Sequence, residues 1–183
     1  LEFRRVLFRS LHTMKLNLLK WAAAAAMLVA GLTACDDREE PSIAGTPPIT
    51  APTEVSAFFD ATLPPTSYSY PGSDFGFGEI NWGESECFLI NSMEEFEAIA
   101  PPSVDLPEID FGKYTLLIGQ CSMGDPGYAL EKQAVDIQPD GMRWNLAFSQ
   151  LSGASPCVVT TFYFWGLYAK LPGNTLIATI IIL

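Results

Sequence analysis

Tyr114-Thr115-Leu116-Leu117-Ile118-Gly119 is a continuous, mainly apolar run in the middle of the C-terminal part of this chain. An apolar run without alternation is typical of a β-strand that is covered on both faces. A second apolar run at residues 87–90 has the length of a short strand. These two runs predict the centre of a domain that is mostly β.

The segments that follow predict further strands. Residues 128–137 and 142–148 flank Gln138-Pro139-Asp140-Gly141, which is a hairpin turn signal. In the second arm, apolar residues at 144, 146 and 148 alternate with smaller or polar residues, which indicates a half-buried strand. Residues 157–169 and 175–183 are rich in β-branched and aromatic residues, and Pro172-Gly173-Asn174 predicts the turn between them.

One helix is predicted before the central strand. Ser92 can cap it, and Glu95, three residues later, is the capping-box partner. Met93, Phe96 and Ile99 then share one face, and Pro101-Pro102 ends the helix. The predicted fold is α+β and mostly β, with an antiparallel sheet or sandwich and one short packed helix.

The N-terminal region has the features of a bacterial lipoprotein precursor. Leu32-Thr33-Ala34-Cys35 matches the lipobox, in which the cysteine becomes lipidated after cleavage. Met14 is the expected start, Lys15 and Lys20 supply the positive region, and residues 21–32 form an apolar segment of 12 residues. This segment is too short to span roughly 30 Å of hydrocarbon. We therefore expect the lipid at Cys35 to anchor the protein in the membrane.

The chain divides into four parts. Residues 1–13 resemble translated adaptor sequence and are treated as a non-native segment, and residues 14–34 form the signal peptide. Residues 35–53, acidic and then proline-rich, are expected to be a disordered tether, and residues 54–183 are expected to form a single β-rich domain. The acidic cluster after Cys35 resembles the surface-export signal of Bacteroidota lipoproteins. It favours the outer membrane with exposure at the surface, whereas in enteric bacteria an aspartate at this position implies inner-membrane retention.

Charge and composition exclude several functions. The whole chain has ten basic and 21 acidic side chains, and removing the five basic and one acidic side chains of residues 1–34 leaves a net charge of −15. Such a chain is repelled by nucleic acid. The only histidine, His12, lies in the non-native segment, which excludes Ser-His-Asp, Cys-His and histidine-ligated zinc sites from the mature chain. We expect no catalytic residues, no cofactor and no metal site.

The mature chain has three cysteines besides Cys35. Outside the cytoplasm, cysteines tend to pair, and three of them allow one disulfide and one free thiol. A Cys121–Cys157 bridge is favoured, because one residue ends the central strand and the other begins the long strand after the hairpin. Pairing with Cys87 and three buried thiols are the alternatives.

Aromatic residues are concentrated between residues 68 and 82, among glycines. This region is interpreted either as an irregular edge whose rings cover the core or as a loop that holds a ligand. In the second case the rings form a stacking surface for a glycan or a partner. The candidate surface residues are Tyr68, Tyr70, Phe75, Phe77 and Trp82.

The order of motifs over residues 87–172 resembles the C-terminal domain of the PrcB family, lipoprotein subunits of a bacterial surface protease complex. The motifs are Ser92-Met93-Glu94-Glu95-Phe96, Ile109-Asp110-Phe111-Gly112-Lys113-Tyr114 before the central strand, Gly127-Tyr128, and Lys170-Leu171-Pro172. The resemblance implies a non-catalytic accessory domain that binds an extracytoplasmic protein such as a protease. We therefore expect a cell-envelope lipoprotein with a protein-binding domain, and the alternative is a surface glycan-binding module.

Overall fold

The computed structural model describes residues 43–68, 72–151, 153, 157–173 and 175–183. The predicted adaptor segment, the signal peptide, Cys35, Tyr70 and Asn174 lie outside the described residues. The elements are α1 (Thr53–Thr62), β1 (Thr66–Ser67), β2 (Ser85–Ile90), α2 (Met93–Ile99), β3 (Tyr114–Met123), β4 (Tyr128–Gln138), β5 (Gly141–Gln150), β6 (Thr160–Ala169) and β7 (Leu176–Ile182).

The strands form two sheets with the orders β1-β6-β3-β2 and β4-β5-β7. One cluster of buried side chains lies between the sheets, and a second lies between the four-stranded sheet and the two helices. The domain therefore has three layers, with the four-stranded sheet in the middle. The α+β, mostly β prediction is confirmed.

Strand β3 is the centre of this arrangement, as the sequence predicts. Leu116 and Ile118 are buried in the cluster beneath the helices, whereas Leu117 and Cys121 are buried between the sheets. At Gly119 a Cβ atom would lie 2.5 Å from the ring of Phe164, so only glycine permits this approach of β3 and β6. The strand is thus covered on both faces.

The predicted hairpin is confirmed, with Gln138 opposite Gly141 and Pro139-Asp140 in the turn. The second arm is not half-buried, however, because Asn145 and Ala147 are buried as well. The side-chain Nδ2 of Asn145 donates a hydrogen bond of 2.8 Å to the backbone carbonyl of Ala44. The segment before the first helix thus lies against this strand, which explains part of the extra burial.

The same segment corrects the boundary of the predicted tether. Thr46 and Val135 exchange two backbone hydrogen bonds of 2.8 Å, and the amide of Ile49 donates to the carbonyl of Leu167. We call residues 44–51 the N-terminal strap, since they run from the three-stranded sheet to β6. The domain therefore begins before residue 54, and a tether is expected only for residues 35–42, which lie outside the described residues.

Helix α2 forms as predicted. The Ser92 hydroxyl accepts a hydrogen bond from the amide of Glu95, and the Glu95 carboxylate accepts one of 2.6 Å from the amide of Asn91. Helix α1 was not predicted. Its Val55 and Phe59 are fully buried beside Phe96 of α2, so two helices rather than one cover the sheet.

Strand β7 departs from a purely antiparallel arrangement because it pairs with β5 in parallel. Strand β6 lies between these two strands in sequence but belongs to the other sheet. The chain reverses direction after β5 and again after β6, so β5 and β7 run the same way. Strands β3, β5 and β7 consequently finish at one end of the sandwich, where β4 and β6 begin.

Candidate functional site

That end of the sandwich carries a group of exposed large hydrophobic residues. Of the ten exposed large hydrophobic residues in the described part of the chain, seven lie at or beside the strand ends that meet there. We call this surface the apolar end. Its members are Tyr68, Trp82, Leu151, Val158, Val159, Ile182 and Leu183. Patches of this kind on a protein surface are typical of interaction sites, whereas single exposed apolar residues are not.

A cavity of about 370 Å³ opens at the apolar end. Its walls come from the end of β3, the β3–β4 connection, the start of β4, the last residues of β7 and the loop before β2. The residues that line it are Trp82, Gly83, Glu84, Cys121, Ser122, Met123, Gly124, Asp125, Tyr128, Ile180 and Ile182. A largely apolar wall with a few polar groups is the usual composition of a binding pocket.

Backbone hydrogen bonds hold the loop that contains Trp82 in place. The amide of Gly83 donates to the carbonyl of Ser122, and the amide of Glu84 donates to the carbonyl of Asn81, both at 3.0 Å. A Cβ atom on Gly124 would lie 3.1 Å from the indole nitrogen of Trp82. The indole therefore packs against the β3–β4 connection while 71% of the residue stays exposed.

Cys121 lines the cavity and is buried. Burial raises the pKa of its thiol to about 12, so the thiol is protonated at neutral pH and is a poor nucleophile. No histidine is among the described residues that line the cavity. The cavity is therefore suited to binding apolar groups rather than to nucleophilic chemistry.

A polar network between the sheets is internally satisfied. The side-chain oxygen of Gln133 accepts hydrogen bonds from the Trp144 indole and the Tyr168 hydroxyl, each at 3.1 Å. Its amide nitrogen donates to the carbonyl of Trp165 at 2.8 Å. Burial raises the pKa of Tyr168, which keeps the phenol protonated. These groups contribute to stability and leave no activated acid or base.

The predicted disulfide between Cys121 and Cys157 is not formed in the structure, where Cys87, Cys121 and Cys157 are free thiols. The register of β3 and β6 gives the reason. Cys121 lies opposite Phe162, and Thr160 at the start of β6 already lies opposite Met123. Cys157 precedes that pair and is exposed beyond the end of the sheet.

These positions predict a selective thiol reaction. Under native conditions at neutral pH we expect iodoacetamide to modify Cys157 rapidly and Cys121 very slowly, because one is exposed and burial keeps the other protonated. Cys87 should also react slowly, since burial and the nearby charge of Glu86 raise its pKa. Peptide mapping by mass spectrometry, with urea-unfolded protein as the control, measures this. Loss of labelling at both Cys121 and Cys157 under non-reducing conditions would instead indicate a disulfide.

The five predicted surface aromatics have different positions. Phe75 is only 4% exposed, and Phe77 is half-buried with its ring against Phe88 and Tyr163. These two rings cover the outer face of the four-stranded sheet, which corrects their assignment to a ligand surface. Tyr68 and Trp82 are 67% and 71% exposed. Tyr70 lies outside the described residues.

Sequence reasoning missed most of the cavity. Tyr128, Ile180 and Ile182 fall within predicted strands, and Met123 lies between two of them, so no sequence pattern marks these residues as part of a pocket. One sequence signal was available for the exposed surface. Val158-Val159 is an apolar pair that follows a run of small residues, which suggests a position at a strand end rather than in the core.

Two further properties bear on the predicted site residues. No helix within the described residues is long and apolar enough to cross a membrane. Nor does the described part of the chain bring three histidine, cysteine or acidic side chains together in a way that could hold a metal ion. Cys35, the predicted lipidation site, lies outside these residues.

Comparisons of the chain with protein-family models, with curated proteins and with solved structures gave no match. The resemblance to the PrcB family therefore stays a prediction.

Proposed function

We propose that this chain is a lipid-anchored protein of the bacterial cell envelope whose domain is a non-catalytic protein-binding module. The membrane contact is the lipid at Cys35, and the partner binds at the apolar end. The observation that carries this proposal is an apolar cavity, with the exposed Trp82 and Ile182 in its wall, at the end of the sandwich where most of the exposed large hydrophobic residues of the described chain lie. Water-exposed apolar surface of this kind is a cost to a monomer, and a partner that covers it stabilises the complex.

The chemistry of the cavity supports binding over catalysis. Its thiol is protonated, and its acidic side chains, Glu84 and Asp125, each accept a hydrogen bond from a nearby backbone amide. Trp82 and Tyr128 supply the aromatic anchors that dominate many protein interfaces. The acidic composition of the mature chain also opposes nucleic acid as a partner.

The glycan-binding alternative has less support. Of its five rings, Tyr68 and Trp82 are the exposed ones within the described residues. Tyr68 follows β1 and Trp82 precedes β2, which are opposite edges of the four-stranded sheet. Three strand spacings separate those edges by about 14 Å, so the two rings do not form a single stacking surface. We therefore propose a protein partner, and an extracytoplasmic protease is the partner class that the PrcB resemblance implies.

A matched pair of substitutions on β7 tests this proposal. Ile182 and Ile177 are 51% and 60% exposed, but only Ile182 lines the cavity. In lipid-anchored full-length protein, Ile182→Asp should remove a specific cross-linked partner from envelope extracts, because a charge in an apolar interface is costly to bury. Ile177→Asp should retain that partner. Quantitative mass spectrometry of the captured proteins measures the difference.

Thermal unfolding of both variants controls for stability. Capture of the same proteins by both variants, or of abundant envelope proteins alone, would contradict binding at the apolar end. A glycan array probed with the wild-type protein would report the alternative directly.

A further inference from the structure

We propose that the cavity at the apolar end holds an apolar side chain of a partner segment that carries lysine or arginine beside that side chain. This inference rests on the proposed function and names the chemistry of the partner. It combines two independent features, the apolar lining of the cavity and the charge at its rim.

The apolar lining sets the first requirement. A volume of about 370 Å³ is near the lower limit of ligand pockets. The cavity therefore suits an anchoring side chain rather than a whole secondary-structure element. Ile180 and Ile182 form one wall, Met123 and Tyr128 another, and the protonated thiol of Cys121 belongs to the lining. An aliphatic or aromatic side chain would be desolvated there without leaving an unpaired polar group.

The rim sets the second requirement. One oxygen of Glu84 accepts hydrogen bonds from the Asn81 amide at 2.8 Å and from the Asn81 side chain at 3.1 Å. One oxygen of Asp125 accepts a bond of 2.6 Å from the amide of Gly127. These bonds hold both carboxylates beside the cavity, and the residues that line it include no lysine or arginine.

The basic side chains of the domain lie elsewhere. Lys113 precedes β3, Arg143 is near the start of β5, and Lys170 follows β6, so all three are at the opposite end of the sandwich. Lys132 is in the middle of β4. The apolar end is thus negative as well as apolar, and a segment with basic residues complements it.

Charge also disfavours two other occupants. In a symmetric dimer through this end, the two copies would bring together four carboxylates from Glu84 and Asp125, and like charges oppose such a contact. Anionic lipid headgroups would be repelled for the same reason. A neutral lipid would not be repelled, and the experiment distinguishes it from a basic segment.

The experiment uses the mature chain from Cys35 onward, with Cys35→Ser to remove the lipid, and two fluorescent hexapeptides. Both have a leucine-phenylalanine centre, flanked on each side by two lysines in one peptide and by two glutamates in the other. At low ionic strength we expect the lysine peptide to bind about tenfold more tightly, and we expect high salt to remove most of this preference. Fluorescence anisotropy measures both affinities.

The charge requirement is tested by Glu84→Gln with Asp125→Asn. These substitutions keep an oxygen in place for the amides of Asn81 and Gly127 but remove both charges. The preference should fall to about twofold or less. Glu131→Gln with Asp140→Asn changes the net charge equally at positions outside the cavity lining and should leave the preference unchanged. Ile182→Asp should weaken both peptides, and Ile177→Asp neither.

Equal binding of the two peptides, or an unchanged preference in the double variant at the rim, would overturn the charge requirement while leaving the proposed function intact. Binding of phosphatidylcholine vesicles in an Ile182-dependent manner, without peptide binding, would show that the occupant is a neutral lipid. If the protein bound neither the peptides nor the vesicles, this inference would be overturned. The capture of partners from envelope extracts would still test the proposed function.

Discussion

Replacement of Phe59 by alanine is expected to lower the free energy of unfolding by about 3–5 kcal/mol, the usual cost of removing a fully buried aromatic ring. Phe59 has no exposed surface, and its ring stacks on Trp165 with a centroid distance of 4.3 Å. It also lies 6.0 Å from the rings of Phe75 and Phe96. The ring thus joins α1, α2 and the four-stranded sheet, so its removal leaves a cavity in the centre of this cluster. Urea unfolding of the mature chain measures the change.

Phe58 provides a matched control in the same helix. It is half-buried and contacts Phe59, Phe75 and Phe96 from the side of the cluster. Phe58→Ala should therefore cost clearly less than Phe59→Ala, because part of that ring is already in water. A cost below about 1 kcal/mol for Phe59→Ala would mean that α1 does not belong to the folded core.

This helix also shows where sequence patterns stop being informative. Helix α2 has both halves of a capping box, so its start could be read from local residues. Helix α1 begins after Pro52, which offers no side-chain cap, and only Val55 and Phe59 are buried among its residues. Tertiary packing on the sheet rather than local propensity stabilises it. The N-terminal strap is also held by contacts with residues that are distant in sequence, Val135 and Leu167, so its local composition predicts disorder.

The strands were easier to predict because their signals are local. The run from Tyr114 to Gly119 and the turn at Pro139-Asp140 depend on a few adjacent residues. The parallel pairing of β7 with β5 depends instead on β6 joining the other sheet, which no local pattern reports. The disulfide expectation failed in the same way, because the offset of Cys157 from Cys121 follows from the register.

The candidate site could be predicted only in part. Trp82 and Tyr68 were identified from composition, and both are exposed. Phe75 and Phe77 have the same composition around them but are packed over the sheet, where the amide of Gly76 donates to the carbonyl of Ile99 in α2. Composition does not distinguish an aromatic ring that packs over the core from one that is exposed at the surface. The cavity itself combines three separate chain segments, 82–84, 121–128 and 180–182, so its existence depends on the topology.

Substitution of Cys35 by serine is expected to remove the protein from the membrane almost completely, leaving a soluble form or an uncleaved precursor. A thiol is required for lipidation at the lipobox, and several acyl chains on one residue provide stable anchoring where one chain does not. No helix among the described residues could replace the anchor. The acidic mature chain is also repelled by anionic headgroups. Fractionation of the cell envelope, with mass spectrometry of the N-terminal peptide, measures the loss.

Cys157→Ser is the matched control, since it replaces an exposed thiol elsewhere in the domain and should leave membrane association unchanged. If a chain that begins at Asp36 still bound protein-free vesicles, a surface of the domain would hold it at the membrane and the lipid would be dispensable.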